Sequence, residues 1–160
     1  MTIEVPPLPA VAQRLTNDLA SSIASLELAK VADGNAAPAG SRDDVSDQVE
    51  RMALELFETM SRHRVLVMIV DRCATEVPEL AGWFGDGRYV VVDLWDAYLE
   101  RIADHIGRDV DRAVLARTIV ELITLWAVKM PWDRAPRSYP VDVGATCARM
   151  AADLVMGRRT

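Results

Sequence analysis

The stretch Asp109–Pro131, DVDRAVLARTIVELITLWAVKMP, decides how the rest of the chain is read. Asp109 is a good N-cap, because its carboxylate can accept from the free backbone N–H groups of a first turn. Pro131 ends the run, since it has no N–H to donate and restricts the residue before it. Between them Arg117, Glu121 and Thr124 fall at i, i+4 and i+7, one narrow polar stripe of a helix. Nearly every other residue from Ala113 to Met130 is apolar. A helix with so little polar surface is buried on more than one side. One side can face the chain's own core, and a second copy of the chain is the simplest cover for the other.

The helices around this one follow from the same periodicity. Ala10–Lys30 reads as a helix, with Val11, Leu15, Leu19, Ile23 and Leu26 at helical spacing. Val31–Asp44 reads as a loop rich in Gly, Ala, Pro and Asp. Val45–His63 carries Val45, Val49, Met52, Leu56 and Met60 on one face, and Asp43 and Asp44 sit where they can cap it. Val65–Val70, VLVMIV, fits a buried strand as well as a helix. Two isolated short runs make a poor sheet, so the helical reading is taken for it and for Tyr89–Val92. Thr75–Phe84 is a short helix started by Pro78-Glu79 and ended by Gly85-Asp86-Gly87. Tyr89–Ile106 follows, with Val91, Leu94, Trp95, Tyr98 and Ile102 as its apolar face and Gly107 suited to a left-handed end. After a proline-rich loop, Val141–Met156 closes the chain as a helix stopped by Gly157. The expected fold is an all-α bundle of about six helices in one domain over 10–157, between a lead-in at 1–9 and a tail at 158–160.

Composition narrows the function classes. At 160 residues with 51% hydrophobic content the chain can bury a core of its own. A formal charge of −6 argues against nucleic-acid binding by this chain alone, because phosphate contacts need clustered Lys and Arg. Cys73 and Cys147 have no CxxC spacing and read as reduced, small hydrophobes of a cytoplasmic protein. No apolar run approaches a membrane span, and no basic-then-apolar leader opens the chain. His63 and His105 have no partner at metal-ligand spacing, so no metal and no cofactor is expected. His63 and Cys73 are too far apart along a helix to act as a nucleophile and base. Arg62, His63, Arg64 and Arg72 read as a solvated face before they read as an anion anchor.

Two segments carry a family resemblance. Ser61–Phe84, SRHRVLVMIVDRCATEVPELAGWF, resembles a recurrent stretch of the tetracycline-repressor-type (TetR) transcriptional regulators. There a helix with a basic-hydrophobic run precedes a short Pro-Glu-Leu helix. Arg117–Pro136, RTIVELITLWAVKMPWDRAP, with the amphipathic helix after it, resembles the closing helix pair of that family. The resemblance spans roughly Ala10 to Gly157 and rests on helix order and hydrophobic pattern. It implies an effector-binding and dimerisation domain, in which the last two helices of each subunit form a four-helix bundle with their copies. A cavity between the other helices takes a small apolar or amphipathic effector. The family's N-terminal helix-turn-helix has no counterpart in the residues ahead of Ala10, and Ala10–Lys30 matches its connecting helix. The expectation is a TetR-type regulatory domain, truncated or standalone, that does not itself bind DNA.

On this reading the pocket set is Phe57, Met60, Met68, Trp95, Tyr98 and Trp126. Adaptable Met and tip-polar Trp and Tyr suit an apolar cavity, although each residue singly reads as plain core. The dimer seam is Ile119, Leu122 and Ile123 of the opening helix with Cys147, Ala148, Ala151 and Leu154 of the last, where small residues permit close approach. No catalytic residue is expected. The inward faces are almost wholly apolar, which weighs against the alternative of a small all-α enzyme. A ligand-free protein-interaction module is the third reading.

Overall fold

The computed structural model describes residues 8–73, 78–107, 110–133 and 138–157. The N-cap expected at Asp109, the helix start at Thr75, most of the lead-in and the tail lie outside them. The described residues hold seven α-helices and no strand. They are α1 (Leu8–Ala24), α2 (Glu27–Ala32), α3 (Arg42–Arg62), α4 (Arg64–Cys73), α5 (Pro78–Arg101), α6 (Arg112–Thr124) and α7 (Val143–Met156). The VLVMIV run is therefore helical, inside α4.

The centre of the bundle is α3, which packs against α1, α2, α4, α6 and most extensively α7. Its sequence explains this place. Val45, Val49, Met52, Ala53 and Leu56 are all buried. Burying each of the larger ones stabilises by about 1.5–3 kcal/mol. The α3–α7 seam is close because α7 presents Gly144, Cys147, Ala148, Ala151 and Ala152, all buried. A Cβ at Gly144 would lie 3.0 Å from the Phe57 ring, so even alanine is tight there.

Caps set the helix ends. The Ser41 side chain accepts from the Asp44 N–H at 3.2 Å, so Ser41 is the N-cap of α3, with Asp43 and Asp44 in its first turn. Asp111 caps α6 through the Val114 N–H at 2.9 Å, and Asp142 caps α7 through the Ala145 N–H at 2.9 Å. Gly157 ends α7 in the left-handed region at φ 64°. Gly107 does not adopt that conformation. Its glycine serves a close approach instead: a Cβ there would lie 2.8 Å from Gly157 Cα, and its N–H donates to the Val155 carbonyl at 3.0 Å.

Several boundaries differ from the sequence expectation, among them the start of α3 at Arg42 and the end of α5 at Arg101. The helix expected over 10–30 breaks at Ser25–Leu26, where Leu26 is extended (φ −61°, ψ 149°). The break is stabilised from afar, because Glu55 of α3 accepts the freed Glu27 N–H at 2.8 Å. Conversely, Gly85-Asp86-Gly87 ends nothing: α5 runs through it for 24 residues from Pro78. Each helical glycine costs about 1 kcal/mol, which the packing of the C-terminal half of α5 outweighs. In that half Val91, Trp95, Tyr98 and Leu99 are buried.

The opening helix is also modified. After Thr124 the chain widens into a π turn, Leu125–Lys129, then tightens into a 3₁₀ turn, Met130–Trp132. The Met130 N–H bonds to the Leu125 carbonyl, five residues back. Pro131 supplies the cause: it has no N–H, and its ring would press on the carbonyl four residues earlier in an unbroken α-helix.

Candidate functional site

The packing leaves a cavity of about 340 Å³. Its walls are built by helical repeats. Leu19 and Ile23 of α1, Leu56 and Met60 of α3, and Leu66 and Val70 of α4 each face it at i, i+4 spacing. Val91 and Leu94 of α5 form a fourth wall. Val120 and Thr124 of α6 continue into Val128 and Lys129 of the π turn, which form a fifth. The lining is mostly apolar. Its polar members are Thr16, Asp33, Asp71, Thr124 and Lys129. Exposed residues such as Ala20, Ala24, Gly87 and Val90 also contribute, so the cavity reaches the surface.

Of the pocket set read from the sequence, Met60 and Met68 line this cavity. The other four do not, and each has a different occupation. Trp95 and Tyr98 are wholly buried in the solid part of the core, edge to face with ring centroids 5.9 Å apart. The Tyr98 hydroxyl donates to Gln48 Oε1 at 3.2 Å, and burial pushes the phenol well above its ordinary value. Trp95 Nε1 has no hydrogen-bond partner among the described residues. Phe57 packs over Gly144 at the α3–α7 seam. Trp126 stacks edge-on against Tyr139, with centroids 5.4 Å apart.

The dimer set needs a similar correction. Ile119, Ile123, Cys147, Ala148 and Ala151 are covered by the chain's own helices. The buried small residues of α7 lie on the helix that packs most extensively against α3 of the same chain. Leu122 stays half-buried and Leu154 stays exposed. The apolar surface left exposed along α6, the π turn and α7 includes Val114 (61% exposed), Leu125, Met150 and Leu154, of which Leu154 belongs to the expected seam. The polar stripe of the opening helix holds, and Arg117 pairs with Glu121 at 2.8 Å.

The buried polar side chains among the described residues are Ser46, Gln48 and Thr59, none of them ionisable. Gln48 Oε1 also accepts the Ala39 N–H at 2.9 Å, a structural duty. Ser22 Oγ and His63 Nε2 are 3.2 Å apart. The Ser22 hydroxyl, however, donates to the Asp18 carbonyl at 2.9 Å. The hydroxyl thus sits between that carbonyl and the imidazole, and which side of the imidazole contact donates depends on the ring tautomer. The pair ties α1 to the α3–α4 corner. No group of three or more potential metal ligands occurs among the described residues. Arg62, Arg64 and Arg72 are exposed and none lines the cavity.

Sequence reasoning missed Asp33, Asp71 and Lys129 at the cavity. Asp71 ends the run VLVMIVD and Lys129 interrupts WAVKM, so a charge set against an apolar run was the available signal. No helix among the described residues is long and apolar enough to cross a membrane. The chain matches no family model, no curated protein and no solved structure.

Proposed function

We propose that this chain is an effector-binding, dimerising regulatory domain, of the kind that serves TetR-type transcriptional regulators in the cytoplasm. The observation that carries the sensing role is the apolar cavity of about 340 Å³. This lies in the size range of small-molecule sites, roughly 300–1,000 Å³. The walls come from six separate α-helices and the π turn, so an occupant touches most of the bundle at once. The transcriptional role rests on the helix order and on the two segments that resemble the family. The absence of fully buried Asp, Glu, His, Lys or Arg side chains among the described residues favours a sensor over an enzyme.

A neutral apolar dye, phenylnaphthylamine, tests the sensor. Its fluorescence should rise saturably with the purified chain, and Val120→Phe should abolish the rise while the helical spectrum persists. A linear, unsaturable rise, or one indifferent to Val120→Phe, overturns the reading. Dimerisation is favoured by the exposed Val114, Leu125, Met150 and Leu154 on two neighbouring helices. Sedimentation at micromolar concentration should show a dimer that Leu154→Arg converts to monomer. A wild-type monomer there removes pairing from the proposal.

A further inference from the structure

The cavity is apolar in its walls but not neutral. Asp71 projects from α4 directly after Val70, lines the cavity and is half-buried. Asp33 closes α2 as its C-cap and also lines it. Neither carboxylate has a hydrogen-bond or ion-pair partner among the described residues. The lining cation is Lys129, which is exposed and likewise unpaired among them.

These charges do not cancel in effect. An aspartate stem is short, so its carboxylate stays where the helix puts it. A lysine ammonium sits on a flexible four-carbon stem, and an exposed one extends into water. An occupant therefore meets fixed negative charge beside apolar wall and a positive charge that can withdraw. A half-buried carboxylate beside an apolar void has lost part of its hydration, and a cationic partner restores the interaction. The chain's net charge of −6 adds a long-range field of the same sign.

We infer that the cavity selects organic cations: ligands with a compact apolar body and an ammonium head placed against Asp71. This rests on the sensor reading above and names the ligand class of that site. Charge rather than shape makes the selection, so the discriminating probes share one tail and differ in the head. Decyltrimethylammonium, decanol and decanoate, all below their micelle concentrations, are competed against bound phenylnaphthylamine. The ammonium should displace the dye at about a tenfold lower concentration than decanoate, with decanol between them. Asp71→Asn should bring ammonium and decanoate close to parity while leaving dye affinity unchanged. Lys129→Ala should leave the order intact. Should Asp71→Asn fail to fold, Asp33→Asn and the wild-type head-group order decide the matter: Asp33→Asn is expected to narrow the ammonium preference. Dye binding with decanoate as tight as the ammonium, or tighter, overturns the cation inference and spares the sensor. No saturable dye binding overturns the sensor itself.

Discussion

The two sides of α3 were built to different rules. Toward α7 the contact is made by Gly144, Ala148, Ala151 and Ala152, whose short side chains let the helix axes approach. Toward α1 and α4 it is made by Leu, Val, Ile and Met, which hold the helices apart and leave the 340 Å³ cavity between them. Away from the cavity, Gln48 of α3 accepts a buried hydrogen bond from Tyr98 and a part-buried one from the Ala39 N–H. The hollow side is tied at its edge, by Ser22 and His63. Outer residues of the hollow side, Val65 and Ile69, are half exposed at 51% and 52%. Small residues make the close joint, and large ones frame the cavity.

This contrast is tested first at Trp95, wholly buried on α5 and outside the cavity lining. Trp95→Ala should cost about 3–5 kcal/mol in denaturant unfolding. A loss near that of a surface residue would mean the core there is no better packed than the hollow side. Next, Ala148→Leu should cost about 1–3 kcal/mol by forcing α3 and α7 apart, whereas Val120→Leu, which points into free volume, should stay within about 1 kcal/mol of wild type. Equal losses from the two would erase the distinction between seam and cavity. Gln48→Leu should cost a comparable amount, about 1–3 kcal/mol, because the Ala39 N–H loses its acceptor and Tyr98 its partner.

The smallest effect concerns alkaline pH. Burial raises the Tyr98 phenol above its ordinary value of 10.0 in the folded chain. Above pH 10 the unfolded chain loses this proton and the folded chain keeps it. The folded state then binds more protons, so stability is complete below that pH and falls as pH rises past it. Tyr98→Phe should flatten this decline between about pH 9 and about pH 11 in thermal melts. A decline identical in the variant would assign it to other groups.

What the sequence disclosed followed from local rules. The Val45, Val49, Met52 and Leu56 face is buried, Gly157 is left-handed, and the narrow polar stripe of the opening helix is the Arg117–Glu121 edge. The errors came from interactions that local spacing cannot contain. Helix α1 ends where Glu55, distant in sequence, captures a backbone N–H. The alanine stripe of α7 announced a close approach but not with which helix, and α3 of the same chain took it. Periodicity put Trp95 and Tyr98 inward, and it placed the cavity-lining Leu56 and Leu94 inward equally well. Which part of an interior is hollow depends on how helices cross, and that is written in no single helix.

The meeting of Gly107 and Gly157 has a consequence for how this sequence can change. Here the two main chains touch with no side chain between them, and a Cβ on either residue would lie within 3.0 Å of the other's backbone. A side-chain contact can drift through a series of substitutions, each partner adjusting to the other. This one has no such series, since the first step at either position already collides with main chain. The closure of the bundle's end is thus inherited whole or lost, and any lineage that abandons one glycine must rebuild how the end of α7 meets the turn after α5.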